Sequence, residues 1–275
     1  MRPEPWFASA HGKPSPELRG FVIAYSGFLE SHPQPIARFA LPTPRVKLNV
    51  SFGSVLRVIS CERVSSFESF VALPSDQMVR LEHDGFRHRI NAILTPLGAC
   101  RLLGVPLGAL PPYVAADDVL GVFARELADR LASVASWGER FAIFDRMLRD
   151  RLSAPTNFDR DTGARALTRL EQTGGTLTIS EIAGELGCTR KHVHERVTAL
   201  AGICPKAYAS LLRFQRVVHA MRSSSPTSLA EVARVAGFYD SSHLHRDVRR
   251  FAGTSPRDLW RDLAEPVARQ FVEPI

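Results

Sequence analysis

The feature that most restricts how this chain can fold is an internal repeat. Residues 179–187, ISEIAGELG, recur fifty residues later as 229–237, LAEVARVAG. Glu181/Glu231, Ala183/Ala233 and Gly187/Gly237 are identical pairs. One extra residue then enters the second copy, and the match continues through Val193/Leu244, His194/His245, Val197/Val248, Gly202/Gly253 and Pro205/Pro256. Each copy has the logic of a helix-turn-helix. A small Ala lets a second helix pack close to the first, and the Gly permits the left-handed turn between them.

The second helix of each copy is amphipathic, with Thr189 and Ser241 expected as its N-caps. In the first, Val193 and Val197 face the core, which leaves Lys191, His194, Glu195 and Thr198 on the opposite face. In the second, Leu244, Val248 and Phe251 face inward and Ser242, His245, Arg246 and Arg249 outward. A cationic, hydrogen-bonding stripe on a protruding helix suits the major groove of DNA. The candidate DNA-contacting residues are Arg190, Lys191, His194 and Glu195 in the first copy, and Ser241, Ser242, His245, Arg246 and Arg249 in the second. Residues 205–222, with Tyr208, Leu211, Leu212, Val218 and Met221 at helical spacing, read as one connecting helix. At ~1.5 Å per residue it spans about 27 Å, close to the ~34 Å between successive major grooves on one DNA face.

Residues 161–264 resemble the DNA-binding domain of the AraC/XylS family of bacterial transcription regulators. The segments that carry the resemblance are ISEIAGELGCTRKHVHERVTALAGICPKAY, LLRFQRVVHAM and LAEVARVAGFYDSSHLHRDVRRFAGTSPRDLW. The run from Ala233 to Phe238 and the closing Gly253, Thr254, Ser255 and Pro256 are specific in combination. The family has Ser where this chain has Thr189, and Phe where it has Val197 and Val248. The two Val changes shrink core contacts and leave the outward face intact. The resemblance implies a sequence-specific, cytoplasmic DNA-binding regulator, not an enzyme. Double-stranded DNA is its partner, and RNA polymerase, a small-molecule effector and a second copy of the chain are further candidate partners.

The first 153 residues have a different texture. Residues 21–28, 46–52, 55–59, 67–73, 78–81 and 89–94 read as short strands, with Gly53 and Ser54 as a hairpin-like turn. Residues 99–103, 119–131 and 137–152 read as helices. The expected class is α+β: a mainly antiparallel β domain with C-terminal flanking helices, then an all-α domain of two helix-turn-helix units joined by a linker helix. The expected boundaries are 1–153 for a regulatory or dimerisation domain, 154–160 for a Pro155-containing linker, 161–264 for the DNA-binding domain and 265–275 for a tail. Two stretches, RVKLNVSFG and LTPLGACRLLGVPLGAL, resemble an uncharacterised sensory domain found on some AraC-type regulators, which implies no particular ligand. Phe21, Tyr25, Leu48, Val50 and Phe52 either line an effector pocket or fill a solid core. The two helices before the linker either form a homodimer or pack on the sheet.

Composition narrows the remaining classes. The chain carries 35 Lys and Arg against 28 Asp and Glu, a net charge of +7, which favours a polyanionic partner without locating a face. No apolar run approaches the ~20 residues of a membrane span, and the start lacks an apolar signal core. Cys61, Cys100, Cys188 and Cys204 fit no zinc spacing and read as reduced, mostly buried thiols. His83 and His88 lack the companions of a metal site and read as surface or hydrogen-bonded, so no metal or cofactor is expected. No nucleophile motif or phosphate loop occurs. Asp117 and Asp118 read as carboxylates favouring a helix N-terminus. Two other classes stay open: a ligand-binding or enzymatic N-terminal domain with a helical protein adaptor, and a non-specific DNA binder.

Overall fold

The structure, a computed structural model, describes residues 6–60, 63–154, 156–223, 228–238, 240–264 and 271–272. Cys61, Pro155 and most of the expected tail lie outside them. Strands β1 (Trp6–Gly12), β2 (Val22–Ser31), β3 (Ile36–Ala40), β4 (Val46–Ser51), β5 (Leu56–Ser60), β6 (Arg63–Phe67), β7 (Phe70–Ala72), β8 (Val79–His83) and β9 (Phe86–Leu94) precede helix α1 (Pro96–Leu103). Strand β10 (Tyr113–Ala115) runs into α2 (Ala116–Leu120), and α3 (Val122–Ala132) and α4 (Trp137–Leu152) follow. The remainder is helical: α5 (Thr162–Thr173), α6 (Ile179–Leu186), α7 (Arg190–Ala201), α8 (Pro205–Ser223), α9 (Leu229–Ala236), α10 (Ser241–Ala252) and α11 (Pro256–Ala264). A short strand, β11 (Phe271–Val272), pairs in parallel with Phe39 and Ala40 of β3. The α+β class therefore holds.

The strands form a six-stranded sheet, β1-β2-β9-β4-β7-β10, and a five-stranded sheet, β11-β3-β8-β5-β6. Apart from β11, the pairings are antiparallel. Strands β4 and β5 lie in different sheets, so Gly53 and Ser54 carry the chain across rather than closing a hairpin. Of the expected strand at 67–73, 70–72 form β7 and Phe67 only ends β6, and the expected helix at 119–131 breaks at Gly121, where φ is +56°. Strands β1, β3, β6 and β10 had no periodic signal long enough to reveal them. Asp117 and Asp118 do lie in the first turn of α2.

The two parities of the six-stranded sheet face different surroundings. Val46, Leu48 and Val50 of β4, and Ile90, Ala92 and Leu94 of β9, lie in the apolar core that includes Ala99 and Leu102 of α1 and Phe144 and Leu148 of α4. Tyr25 joins them, its ring 5.5 Å from that of Phe144 and its hydroxyl donating to Asp145 Oδ1 at 3.0 Å. The alternate residues Lys47, Asn49, Arg87, Arg89 and Asn91 instead line a cavity of about 720 Å³ between the sheets. Of the two readings for Phe21, Tyr25, Leu48, Val50 and Phe52, the packed core is therefore the correct one. The covering helices offer the apolar partner, and a strand's alternation sends every second residue to that side.

The same core continues past α4 into the helical half. Leu167, Leu170, Ile182, Val193, Val197, Leu200 and Tyr208 belong to it together with Leu102 and Leu107. A second core, built from α8 to α11, takes in Leu41 and is flanked by Phe39 and Met78. Polar contacts follow the same route. Arg45 Nη1 donates to Glu171 Oε1 at 2.7 Å, and Tyr208 Oη donates to the same oxygen at 2.5 Å. Gln215 Nε2 donates to Thr43 Oγ1 at 3.1 Å, and Arg250 pairs with Asp76 at 2.8 Å. The apolar residues of α3 and α4 (Leu127, Leu131, Phe144, Met147 and Leu148) are buried within the chain, which takes up the faces considered for a homodimer. His88 contacts Arg140 at 2.9 Å, and His83 is buried with Nε2 3.3 Å from Glu30.

Candidate nucleic-acid interface

Each repeated unit is assembled by caps that the sequence encodes. Thr178 caps α6 by accepting from Glu181 N, while the Glu181 carboxylate accepts from Thr178 N, a reciprocal arrangement that holds its pKa below the usual carboxylate range. In the second unit Ser228 accepts from Glu231 N at the start of α9. The turns after α6 and α9 pass through Gly187 (φ +66°) and Gly237 (φ +80°), a region that side chains other than Gly rarely adopt. Thr189 caps α7 by accepting from His192 N. The cap of α10 is Asp240, not Ser241: its carboxylate accepts from His243 N at 2.7 Å, and Ser241 is the first helical residue. The carboxylate is the better partner for the positive end of a helix.

The inward and outward faces divide as the spacing predicts, with one exception. Val193, Val197 and Leu200 of α7 are fully buried, as are Leu244, Val248 and Phe251 of α10. Val197 and Val248 thus fill their core positions without a larger side chain. Arg190, Lys191, His194 and Glu195 are exposed on α7, and Ser241, Ser242, His245, Arg246 and Arg249 on α10. Lys191 Nζ lies 3.9 Å from Glu195 Oε1 one turn on. Among the described residues, the side chains of His245, Arg246 and Arg249 make no hydrogen bond or ion pair within the chain. The exception is Thr198. It is half-buried, its Oγ1 is shielded from solvent, and its carbonyl lies under the Leu107–Ala109 turn. The outward stripe of α7 therefore ends at Glu195.

Neighbouring cations are already engaged. Arg196 pairs with Asp161, Arg250 with Asp76, and Arg213 Nη1 donates to Gly175 O at 2.5 Å. The outward residues of α7 and α10 thus stand apart from the Arg residues that hold the units together. The two recognition-type helices are joined by α8, whose 19 residues cover about 28 Å at ~1.5 Å each.

Residues 182–262 match a family model described as a helix-turn-helix domain. The curated relatives include the transcriptional activator RhaS of Escherichia coli, 30% identical over 78 residues that make up 28% of this chain and 28% of that protein. Residues 182–262 therefore form a helix-turn-helix domain. This chain spans little more than a quarter of the length of the RhaS proteins it matches. Among solved structures, an AraC-type regulator from Chromobacterium violaceum is 22% identical, covers 38% of this chain and 94% of its own, with a TM-score of 0.35. ToxT from Vibrio cholerae is 11% identical, covering 96% of this chain and 99% of its own with a TM-score of 0.49. The matched segment contains all nine residues singled out as DNA contacts, and it extends through α11 almost to its end.

Among the described residues no helix is long and apolar enough to cross a membrane. Sequence reasoning missed a second group of residues, on the N-terminal side. Glu30 is fully buried and meets Arg38 Nη1 at 3.0 Å, Arg87 Nε at 2.7 Å, His83 at 3.3 Å and His32 at 3.3 Å. Burial works to raise its pKa, but the contact with His83 and the charges of Arg87 and Arg38 prevail and hold it far below the usual carboxylate range. Arg89 donates from Nη1 to Asn49 Oδ1 at 2.8 Å and from Nη2 to Ser54 O at 2.8 Å. The available signal was the second parity: Lys47 and Asn49 on β4 alternate with core residues just as Arg87, Arg89 and Asn91 do on β9.

Proposed function

We propose that this chain is a sequence-specific, DNA-binding transcription regulator whose N-terminal domain receives a small-molecule effector. The observation that carries the reading is the pair of exposed stripes on α7 and α10, repeated units whose outward polar side chains, the Lys191–Glu195 pair within the stripe of α7 aside, stand clear of the ion pairs that hold the units together. Arg246 and Lys191 can each donate to guanine N7 and O6, and Ser242, His194 and His245 can donate to or accept from base edges. A connecting helix of about 28 Å is matched to successive major grooves on one face of B-DNA. Effector control is supported by the cavity between the two sheets and by the loops of that domain that grip α8 and α10. A homodimer and a contact with RNA polymerase remain further elements of this proposal, with no residues assigned to them. The test is selection of bound sequences from random double-stranded oligonucleotides with the full chain. Enrichment of a bipartite site with half-sites about one helical turn apart is expected; equal retention of all sequences would leave only a non-specific binder.

A further inference from the structure

Each helix-turn-helix unit holds an Arg of its second helix in an ion pair, and the two pairs differ in where the acid comes from. Arg196 of α7 pairs with Asp161, the residue that caps α5 within the same helical half. Arg250 of α10 pairs instead with Asp76, from the loop between β7 and β8. That loop reads Leu73, Pro74, Ser75, Asp76, Gln77 and Met78, so Asp76 is its only charged residue. Contacts on both sides fix its place. Ser75 and Thr43 exchange backbone hydrogen bonds of 3.1 and 3.2 Å, Thr43 Oγ1 accepts from Gln215 of α8, and Met78 packs against the core of α8 to α11. Gln77 Nε2 donates to Asp76 Oδ1 at 3.1 Å, which leaves Oδ2 to accept from Arg250 Nη2 at 2.8 Å.

Arg250 stands beside the residues assigned to DNA. On a helix of 3.6 residues per turn it lies about 40° round α10 from Arg246, with Arg249 about 60° round on the other side. Leu244 and Val248 are buried on the opposite face. The Asp76–Arg250 pair is open to water, its Arg side chain half exposed and its carboxylate a quarter exposed. Exposed pairs of this kind contribute little to stability, so another anion can replace the carboxylate at little cost. A DNA phosphate offers the guanidinium an equivalent acceptor, and its neutralisation releases condensed counterions. We propose that Arg250 is a further phosphate contact of α10 and that Asp76 occupies its guanidinium in the free chain, so that DNA must displace an acid of the N-terminal domain to engage the second unit fully. This rests on the DNA-binding reading above and adds to it a contact that the N-terminal domain controls. Arg246 and Arg249 have no such competitor among the described residues. The restraint therefore bears on the grip on the backbone rather than on the reading of bases.

The test is a double-mutant cycle on the full chain: wild type, Asp76→Asn, Arg250→Met and the two combined. Binding is read by fluorescence anisotropy with two labelled duplexes, the selected site and a scrambled sequence, at several salt concentrations. Asp76→Asn keeps the size of the side chain and an oxygen for Gln77. It should tighten binding to both duplexes by about two- to fivefold, the range that exposed ion pairs set. Arg250→Met should weaken binding to both and lower the salt slope by up to about one phosphate contact. In the Arg250→Met background Asp76→Asn should have no effect, because no guanidinium is left to release. Thermal melts check that each variant folds, and Arg250→Gln takes the place of Arg250→Met if the latter does not. Unchanged or weaker binding by Asp76→Asn would overturn the proposal. So would an equal gain in the Arg250→Met background, since the carboxylate would then act only through its field on the DNA. Those outcomes leave the regulator reading in place, whereas a wild-type chain that binds neither duplex would remove the reading and the proposal together.

Discussion

Gly108 lies so close to α7 that a Cβ built on it would meet the carbonyl oxygen of Thr198 at 2.9 Å and that of Ala199 at 3.0 Å. The turn that carries Gly108 belongs to the N-terminal domain, and Thr198 to the first recognition-type helix. Gly108→Ala should therefore press the two halves apart and cost about 1–3 kcal/mol, the usual range for overpacking. Gly138→Ala is the control: nothing lies within 4 Å of its would-be Cβ, it sits on the exposed face of α4, and it should gain about 0.4–1 kcal/mol. Urea denaturation of the two variants measures both. Equal effects would mean that the turn yields freely.

The same contact bears on separability. A fragment spanning residues 158–275 contains the whole matched helix-turn-helix domain, but it uncovers the side of α7 where Leu200 O accepts from Cys100 Sγ at 3.3 Å. We expect a cooperative helical melt at a temperature below that of the full chain. Thermal scans by circular dichroism decide this, and coincident melting temperatures would show that the shared core adds nothing.

Asp240 and Ser241 are adjacent and should behave oppositely. Asp240→Ala removes the cap of α10 and should cost about 0.5–2 kcal/mol of stability. Ser241→Ala should leave stability within about 0.5 kcal/mol while weakening DNA binding. Parallel denaturation and DNA titrations of the two variants separate cap from contact. A destabilised Ser241→Ala would return the cap to Ser241.

Arg246 and Arg249 are both exposed on α10, but Arg249 is nearer the helix C-terminus. Arg246→Ala should cost about 1–3 kcal/mol on the preferred site and relax preference at one or two base pairs. Arg249→Ala should weaken all sequences alike and lower the salt slope by about one phosphate contact. Titration of selected and scrambled DNA at several salt concentrations distinguishes them. Loss of affinity on both DNAs in Arg246→Ala would make it a backbone contact.

Lys47 gives the stability a pH signature. Its pKa falls from 10.5 to about 8 on folding, chiefly through burial. Between those values the unfolded chain holds more protons than the folded one, so this residue's contribution favours the fold more as pH rises through about 8. Buried tyrosines such as Tyr113, pushed up to about 12 by desolvation, act in the opposite sense above pH ~10. The difference in stability between Lys47→Met and wild type should therefore shrink from pH 7.5 to about 9.5. Denaturation across that range measures it, and a constant difference would mean that Lys47 does not titrate there.

The helical half was legible in the sequence because its information is local and duplicated. Ala183 and Ala233, Gly187 and Gly237, and the apolar spacing of Val193, Val197, Leu244 and Val248 each specify a contact within a few residues, and two copies check one another. The Asp240 cap escaped because Ser241 is an equally good capping type one position away. The β half was less legible because its information lies between strands. Nothing near β3 says that it pairs with β8, and nothing in Gly53 and Ser54 says that β5 changes sheets. The cavity was missed for a related reason. Alternation in 46–52 identifies two faces but not which face meets the helices; that depends on α1 and α4, some fifty residues or more away.

That division of faces bears on how such a domain diverges. On β4 and β9 the residues facing α1 and α4 are confined by neighbours on every side, so exchange there is limited by volume. Those facing the cavity have room in front of them, and a change at Lys47, Asn49 or Asn91 alters charge and shape without touching the apolar packing. Two adjacent positions on one strand therefore drift under separate constraints. A lineage can reshape that cavity while the scaffold that holds its helix-turn-helix units stays the same.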